Sequence, residues 1–177
     1  MAIDELIAVM TTPDVPFEAP STDGWASVEA RLGTSLPEDY KKFINLYGSG
    51  KIANFLWIFN PFSSNENLNL ERQVELQSAV LGELEEYGEK NPYKSFPAPG
   101  GVLPFGITDN GDVVFWRTEG ETSRWSVAVN ESRAPEWEIF DLSMSQFLAD
   151  LLAKKITCKI FPKNFPGAHP FFESSAQ

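Results

Sequence analysis

Few residues of this chain could run a reaction. The one histidine, His169, sits in a Pro/Gly-rich tail six residues after Lys163, and the one cysteine is Cys158. A Ser–His or Cys–His nucleophilic pair would have to recruit that histidine, and nothing else in the tail supports it. The chain has no Gly-x-Ser-x-Gly elbow, no glycine-rich phosphate loop and no dinucleotide fingerprint. A zinc site would have to be built mostly from carboxylates, against the metal's preference for nitrogen and sulfur. Asp109 and Asp112 flank Asn110-Gly111, but no further carboxylate follows at calcium-loop spacing, so turn chemistry accounts for the pair. Glu29 stands among apolar residues. It is either a buried functional acid or a structural acceptor for a neighbouring helix end. The expectation is a protein that is not an enzyme, with no catalytic residue, no metal and no cofactor.

Charge points to a different use. The 177 residues carry 25 acidic and 14 basic side chains, a net charge of -11, and the isoelectric point is near 4.5. Nucleic-acid surfaces need clustered Lys and Arg, so a nucleic-acid partner is not expected. A basic protein partner is compatible, because opposite fields steer association, although the same charge also serves solubility. Two patches could meet such a partner. One is a helix row of Glu71, Glu75, Glu86 and Glu89. The other is the hairpin end with Asp109 and Asp112, extended by Glu119 and Glu121. A lone cysteine forms no internal disulfide. The first ten residues lack a basic start and an apolar core, and no apolar run approaches the roughly 20 residues that span a bilayer. These features predict a cytoplasmic protein without membrane contact or small-molecule substrate.

The elements that must position these residues read as one α+β domain over 1–177. Hydrophobic residues make up 42% of the chain, enough to fill a sizeable core. Ile3, Leu6, Ile7 and Met10 have helical spacing. Trp25, Val28 and Leu32 share one face of a helix running from about Asp23, its N-cap, to Arg31, with Gly33 as a left-handed stop. A second helix opens at Leu36-Pro37, with proline at the first helical position and Ser35 and Glu38 at capping-box spacing. Tyr40, Phe43, Ile44 and Tyr47 form its apolar stripe. The apolar run 52–59 predicts one central strand. From about Asn67 to Tyr87 a long helix places Leu70, Val74, Val80, Leu81, Leu84 and Tyr87 on its buried side. Asn110-Gly111 predicts a tight hairpin with both turn residues at positive φ, joining strands 102–108 and 112–116. Strands 125–129 and 137–140 follow. Then comes a helix with Ser143 and Gln146 as a capping box and Met144, Phe147, Leu148, Leu151 and Leu152 inward. A Phe/Pro-rich strap, 156–177, ends the chain without regular structure. The predicted architecture is an antiparallel sheet of about five or six strands with helices packed against it. Leu56, Ile58, Phe105, Val113, Phe115 and Val127 lie in its core.

Trp25, Glu29, Leu32-Gly33, Leu36-Pro37, Asp39-Tyr40, Phe43 and Tyr47-Gly48-x-Gly50 together resemble the signature of the SUKH superfamily. Its members include the yeast cell-wall synthesis regulator and many bacterial immunity proteins. Leu103-Pro104-Phe105-Gly106 with Asp109-Asn110-Gly111-Asp112, and Phe140-Asp141-Leu142-Ser143 with its helix, extend the likeness over 25–152. The resemblance implies a SUKH domain. For bacterial members it implies an immunity protein that binds and neutralises a cognate polymorphic toxin of nuclease or deaminase type. The alternative is a regulatory or scaffold protein-binding domain.

Overall fold

The computed structural model describes residues 2–21 and 23–175. Helix α1 (Ala2–Val9) precedes the helix pair α2 (Gly24–Leu32) and α3 (Glu38–Tyr47). Gly33 stops α2 at φ 72° and returns its N–H to the Glu29 carbonyl at 2.9 Å. Asp23 occupies the N-cap of α2, but its side chain makes no capping bond. Pro37 is the N-cap of α3 and not its first residue, and the Ser35–Glu38 capping box does not form. Glu29 replaces it from the preceding helix. Its Oε1 accepts the Leu36 N–H at 2.8 Å and pairs with Lys41 Nζ at 2.9 Å. One carboxylate thereby locks the angle between the two helices.

Seven antiparallel strands follow in the spatial order β6-β5-β4-β3-β2-β1-β7, more than the five or six expected. Two corrections account for the difference. The apolar run 52–59 is not one strand. It divides into the end of β1 (Gly50–Ile52) and all of β2 (Leu56–Ile58), with Ala53 and Asn54 turning at φ 47° and 53°. Apolar residues flank that turn on both sides, so polarity does not mark it. The strap also ends in a strand, β7 (Phe172–Ser174), which pairs with β1. Gly50 permits this approach, because a Cβ there would collide with the Glu173 carbonyl oxygen and the Phe172 ring. Residues 176 and 177 of the strap lie outside the described residues.

β3 (Val102–Thr108) and β4 (Val113–Arg117) form the centre of the sheet, with a bulge between Pro104 and Gly106. Their connection differs from the predicted two-residue turn. Of Asn110 and Gly111 only the glycine has positive φ, at 88°, and the loop is closed by the Thr108 N–H on the Asp112 carbonyl at 2.9 Å. This is a three-residue loop with a left-handed last position. β5 (Ser126–Asn130) and β6 (Trp137–Phe140) continue the meander, and α5 (Met144–Leu152) returns across the sheet. Ser143 accepts the Gln146 N–H at 3.4 Å. Gln146 itself reaches Glu5, so only half of that capping box exists.

Strand alternation separates two cores. On one face Leu103, Phe105, Val114, Trp116, Val127 and Val129 pack with α1, α3 and α5. On the other Val102, Val113, Phe115 and Ala128 meet Leu81 of α4 (Leu70–Glu86). All six predicted sheet-core residues are buried, distributed over both faces. Helix α4 is thus the element that covers the second face, and its outer side looks away from the rest of the molecule.

Candidate partner-binding surface

The structure divides the residues expected at the hairpin patch. Asp112 is only 3% exposed. It accepts the Thr108 hydroxyl at 2.8 Å and the Ser132 N–H at 3.1 Å, so it is a buried turn anchor and is removed from the surface. Asp109 is exposed but engaged. Lys51 Nζ stands 3.3 Å from its carboxylate and 4.9 Å above the Trp57 ring, and Trp57 Nε1 donates to Asp109 at 2.9 Å. Glu119 and Glu121 lie past the other end of β4. A five-residue strand separates them from Asp109, a distance of about 17 Å. Glu119 faces Arg117 at 3.7 Å. These four residues therefore do not make one patch.

The helix row is also redistributed. Glu71 takes a bidentate grip from Arg31, with contacts of 2.7 and 2.9 Å, and fastens α4 to α2. Glu75 pairs with Arg72 at 3.1 Å. Glu89 lies beyond the helix end at Glu86. What the spacing missed is the apolar part of this surface. Val80 and Tyr87, expected inside, are 39% and 89% exposed, and Leu76 is 52% exposed. Leu76, Val80, Glu83 and Tyr87 stand at i, i+4, i+7 and i+11, a stripe about 16 Å long. Glu86 flanks it while Glu85 falls on the opposite side of the helix, and among the described residues Glu83, Glu85 and Glu86 make no ion pair. Two periodic apolar stripes on one helix gave a single merged pattern in the sequence. Only Leu70, Gln73 and Leu81 are fully buried. The outer stripe combines a large exposed aromatic side chain with uncompensated carboxylates, a composition suited to a protein partner carrying cations.

The signature residues serve the fold. Tyr40 and Tyr47 are buried, and their hydroxyls donate to the carbonyls of Phe59 and Met10, each at 2.6 Å. Burial pushes the Tyr47 phenol up to about 12. Trp25 is half-buried and not a full core residue. Its ring packs edge-on against Tyr40 and Phe62, and Nε1 donates to Asn45 at 3.3 Å. Leu36, Pro37 and Phe43 are buried. At Gly48, φ is 70°, and a Cβ would meet the Phe17 carbonyl oxygen at a distance no side chain tolerates. Burial alone would raise the Glu29 carboxyl, but the Leu36 N–H and Lys41 together hold it below its usual range. That is the profile of a satisfied structural acceptor. Burial and the nearby Glu138 push the Cys158 thiol up to about 12, so it stays protonated at neutral pH.

Among the described residues no group of three or more His, Cys, Asp or Glu could hold a metal ion, and no helix is long and apolar enough to cross a membrane. A family model described as SMI1-KNR4 cell-wall, SUKH_6, matches residues 22–148. No curated protein matches the chain significantly.

Proposed function

The chain belongs to the SMI1-KNR4 family of SUKH domains, and on that premise we propose that it is a non-catalytic immunity protein. It occupies the basic surface of a cognate toxin domain, of nuclease or deaminase type, in the cytoplasm of the producing cell. The observation that carries this reading is the outer stripe of α4, where Tyr87, Val80 and Leu76 stand exposed beside the unpaired Glu83 and Glu86. Tyrosine at the centre of an interface contributes buried area at low entropic cost, and surrounding carboxylates steer a cationic partner into register. A nuclease or deaminase that handles nucleic acid presents a basic surface, and an acidic protein competes for it with the same electrostatics.

The test is a search for a toxin-like domain encoded beside this gene and its capture, followed by binding kinetics at two salt concentrations. Glu83→Lys with Glu86→Lys lowers the association rate about tenfold at low salt and flattens its salt dependence. Tyr87→Ala acts on dissociation, at a cost of about 2 kcal/mol. Capture of a neutral or acidic partner, or kinetics unchanged by both variants in folded protein, would remove toxin neutralisation through α4. A scaffold role would then take its place.

A further inference from the structure

The end of the chain reverses the electrostatics of the rest. Residues 153–171 hold four of the fourteen cationic side chains and no carboxylate, in a protein of net charge -11. After α5 the strap makes successive tight turns, with Phe161 N–H on the Cys158 carbonyl, Phe165 N–H on that of Pro162 and Gly167 N–H on that of Asn164. These turns curl around a cavity of about 680 Å³. Its wall is apolar: Leu151 from α5, Phe161 and Phe165 from the strap, with the two phenylalanines set edge to face at 5.4 Å and both rings braced on Phe55. Lys154, Lys159 and Lys163 stand on its lining, all exposed, and among the described residues none forms an ion pair. Lys155 is different, because Asp150 and Glu5 neutralise it at 3.3 and 3.4 Å. The neighbouring Glu138 carboxylate is occupied by the Lys159 backbone N–H at 2.7 Å.

We propose that this cavity docks an acidic peptide segment of a second partner protein, with one apolar side chain packing on the apolar lining beside Phe165 and its flanking carboxylates met by the three lysines. Charge complementarity and the apolar wall together select that occupant. The volume suits one or two side chains and is in the range of ordinary ligand sites. A nucleic-acid backbone offers no apolar anchor, and base stacking needs an open aromatic face, whereas Phe161 is 5% exposed. The overall negative field repels an extended polyanion over its whole length. The lysines act only within about 10 Å, which is the reach of a short acidic segment. This surface is separate from the α4 stripe, and the proposal stands or falls independently of toxin binding.

Fluorescence polarisation with dye-labelled Asp-Glu-Phe-Glu-Asp tests it on the full chain. The expected result is saturable binding that weakens at higher salt. Replacing the peptide Phe by Ala weakens it at least about tenfold, as does the variant Lys154→Gln, Lys159→Gln, Lys163→Gln. The lysines are exposed, so the variant keeps the parent melting temperature, and Ala168→Trp at the cavity lining blocks the site without altering charge. No binding, equal binding by Lys-Lys-Phe-Lys-Lys, or tighter binding of a single-stranded oligothymidine would overturn the proposal. So would concentration-dependent oligomers that the lysine variant abolishes, because the occupant would then be a second copy of this chain.

Discussion

Two glycines separate backbone conformation from close packing as reasons for a residue. At Gly33 the space around a new Cβ is open and only φ, 72°, demands glycine. Gly33→Val therefore costs about 1–3 kcal/mol, the strain of a β-branched residue in the left-handed region. At Gly48 the same φ penalty is joined by collision with the backbone of Phe17, so even Gly48→Ala exceeds the Gly33 cost. Urea melts of the two variants check this order, and a Gly48→Ala protein as stable as the parent would refute the Phe17 contact. Gly33 is legible as a helix stop, because a glycine directly after an apolar stripe is diagnostic. The Phe17 contact is not, since residues 31 positions apart leave no trace of their meeting in a single sequence. The same blindness placed Asp112 on the surface. Its partners Thr108 and Ser132 are assembled by the sheet, and a carboxylate beside Asn-Gly reads as exposed until they are known.

Helix α4 shows what periodicity conveys at the scale of an element and what it conceals. Its existence followed from pattern, whereas its N-cap is Asn69, two residues after the expected start, which accepts the Arg72 N–H at 3.2 Å. Its buried side did not follow, because Leu76, Val80 and Tyr87 supply a second apolar line next to Leu70 and Leu81. Burial against only one sheet face leaves room for one of them. The split of residues 50–58 into two strands failed for a related reason, as a turn built from Ala53 and Asn54 inside an apolar run lacks the usual punctuation. α4 also contains a glycine without a task. Nothing lies within 4 Å of a Cβ built on Gly82, and its φ is not positive. Gly82→Ala consequently stabilises the protein by about 1 kcal/mol through helix propensity alone. Thermal melts should show the rise, while binding of the partner proposed above stays as in the parent because Gly82 lies off the stripe.

At the scale of the molecule, two carboxylates hold separate parts together and set the response to acid. Glu29 joins α2 to α3. Glu18 accepts from the Ser49 hydroxyl at 2.6 Å and from the Ser64 N–H and hydroxyl at 2.8 Å, tying the first connector to two later loops. Burial works against the Glu18 carboxylate too, yet these hydrogen bonds hold it, like Glu29, below the reference value of 4.5. A depressed folded-state value means that the stabilisation is complete above pH 4.5 and disappears as pH falls through the folded-state value. Urea unfolding should accordingly be nearly flat from about pH 7 to 5.5 and weaken steeply below about pH 4.5. Glu29→Gln should flatten part of that fall, and an unchanged profile in that variant would show that Glu29 does not contribute. The α+β class, the helix pair and the central hairpin were legible because each rests on local spacing. The seventh strand and the grouping of surface charges were not, because they depend on which distant segments the closed sheet brings together.

The pairing of Gly50 with Ser174 has a consequence for synthesis. A ribosome delivers β1 (Gly50–Ile52) well ahead of β7 (Phe172–Ser174), with all the other strands and α5 between them, so the nascent sheet carries an open edge at β1 until the last strand emerges. Local meander contacts can form vectorially, but this closure spans most of the chain and must wait. During that interval the unpaired β1 edge is a template for another strand. Slowing translation over the codons of Phe172–Ser174 would lengthen one vulnerable state: a nearly finished domain lacking its outermost strand.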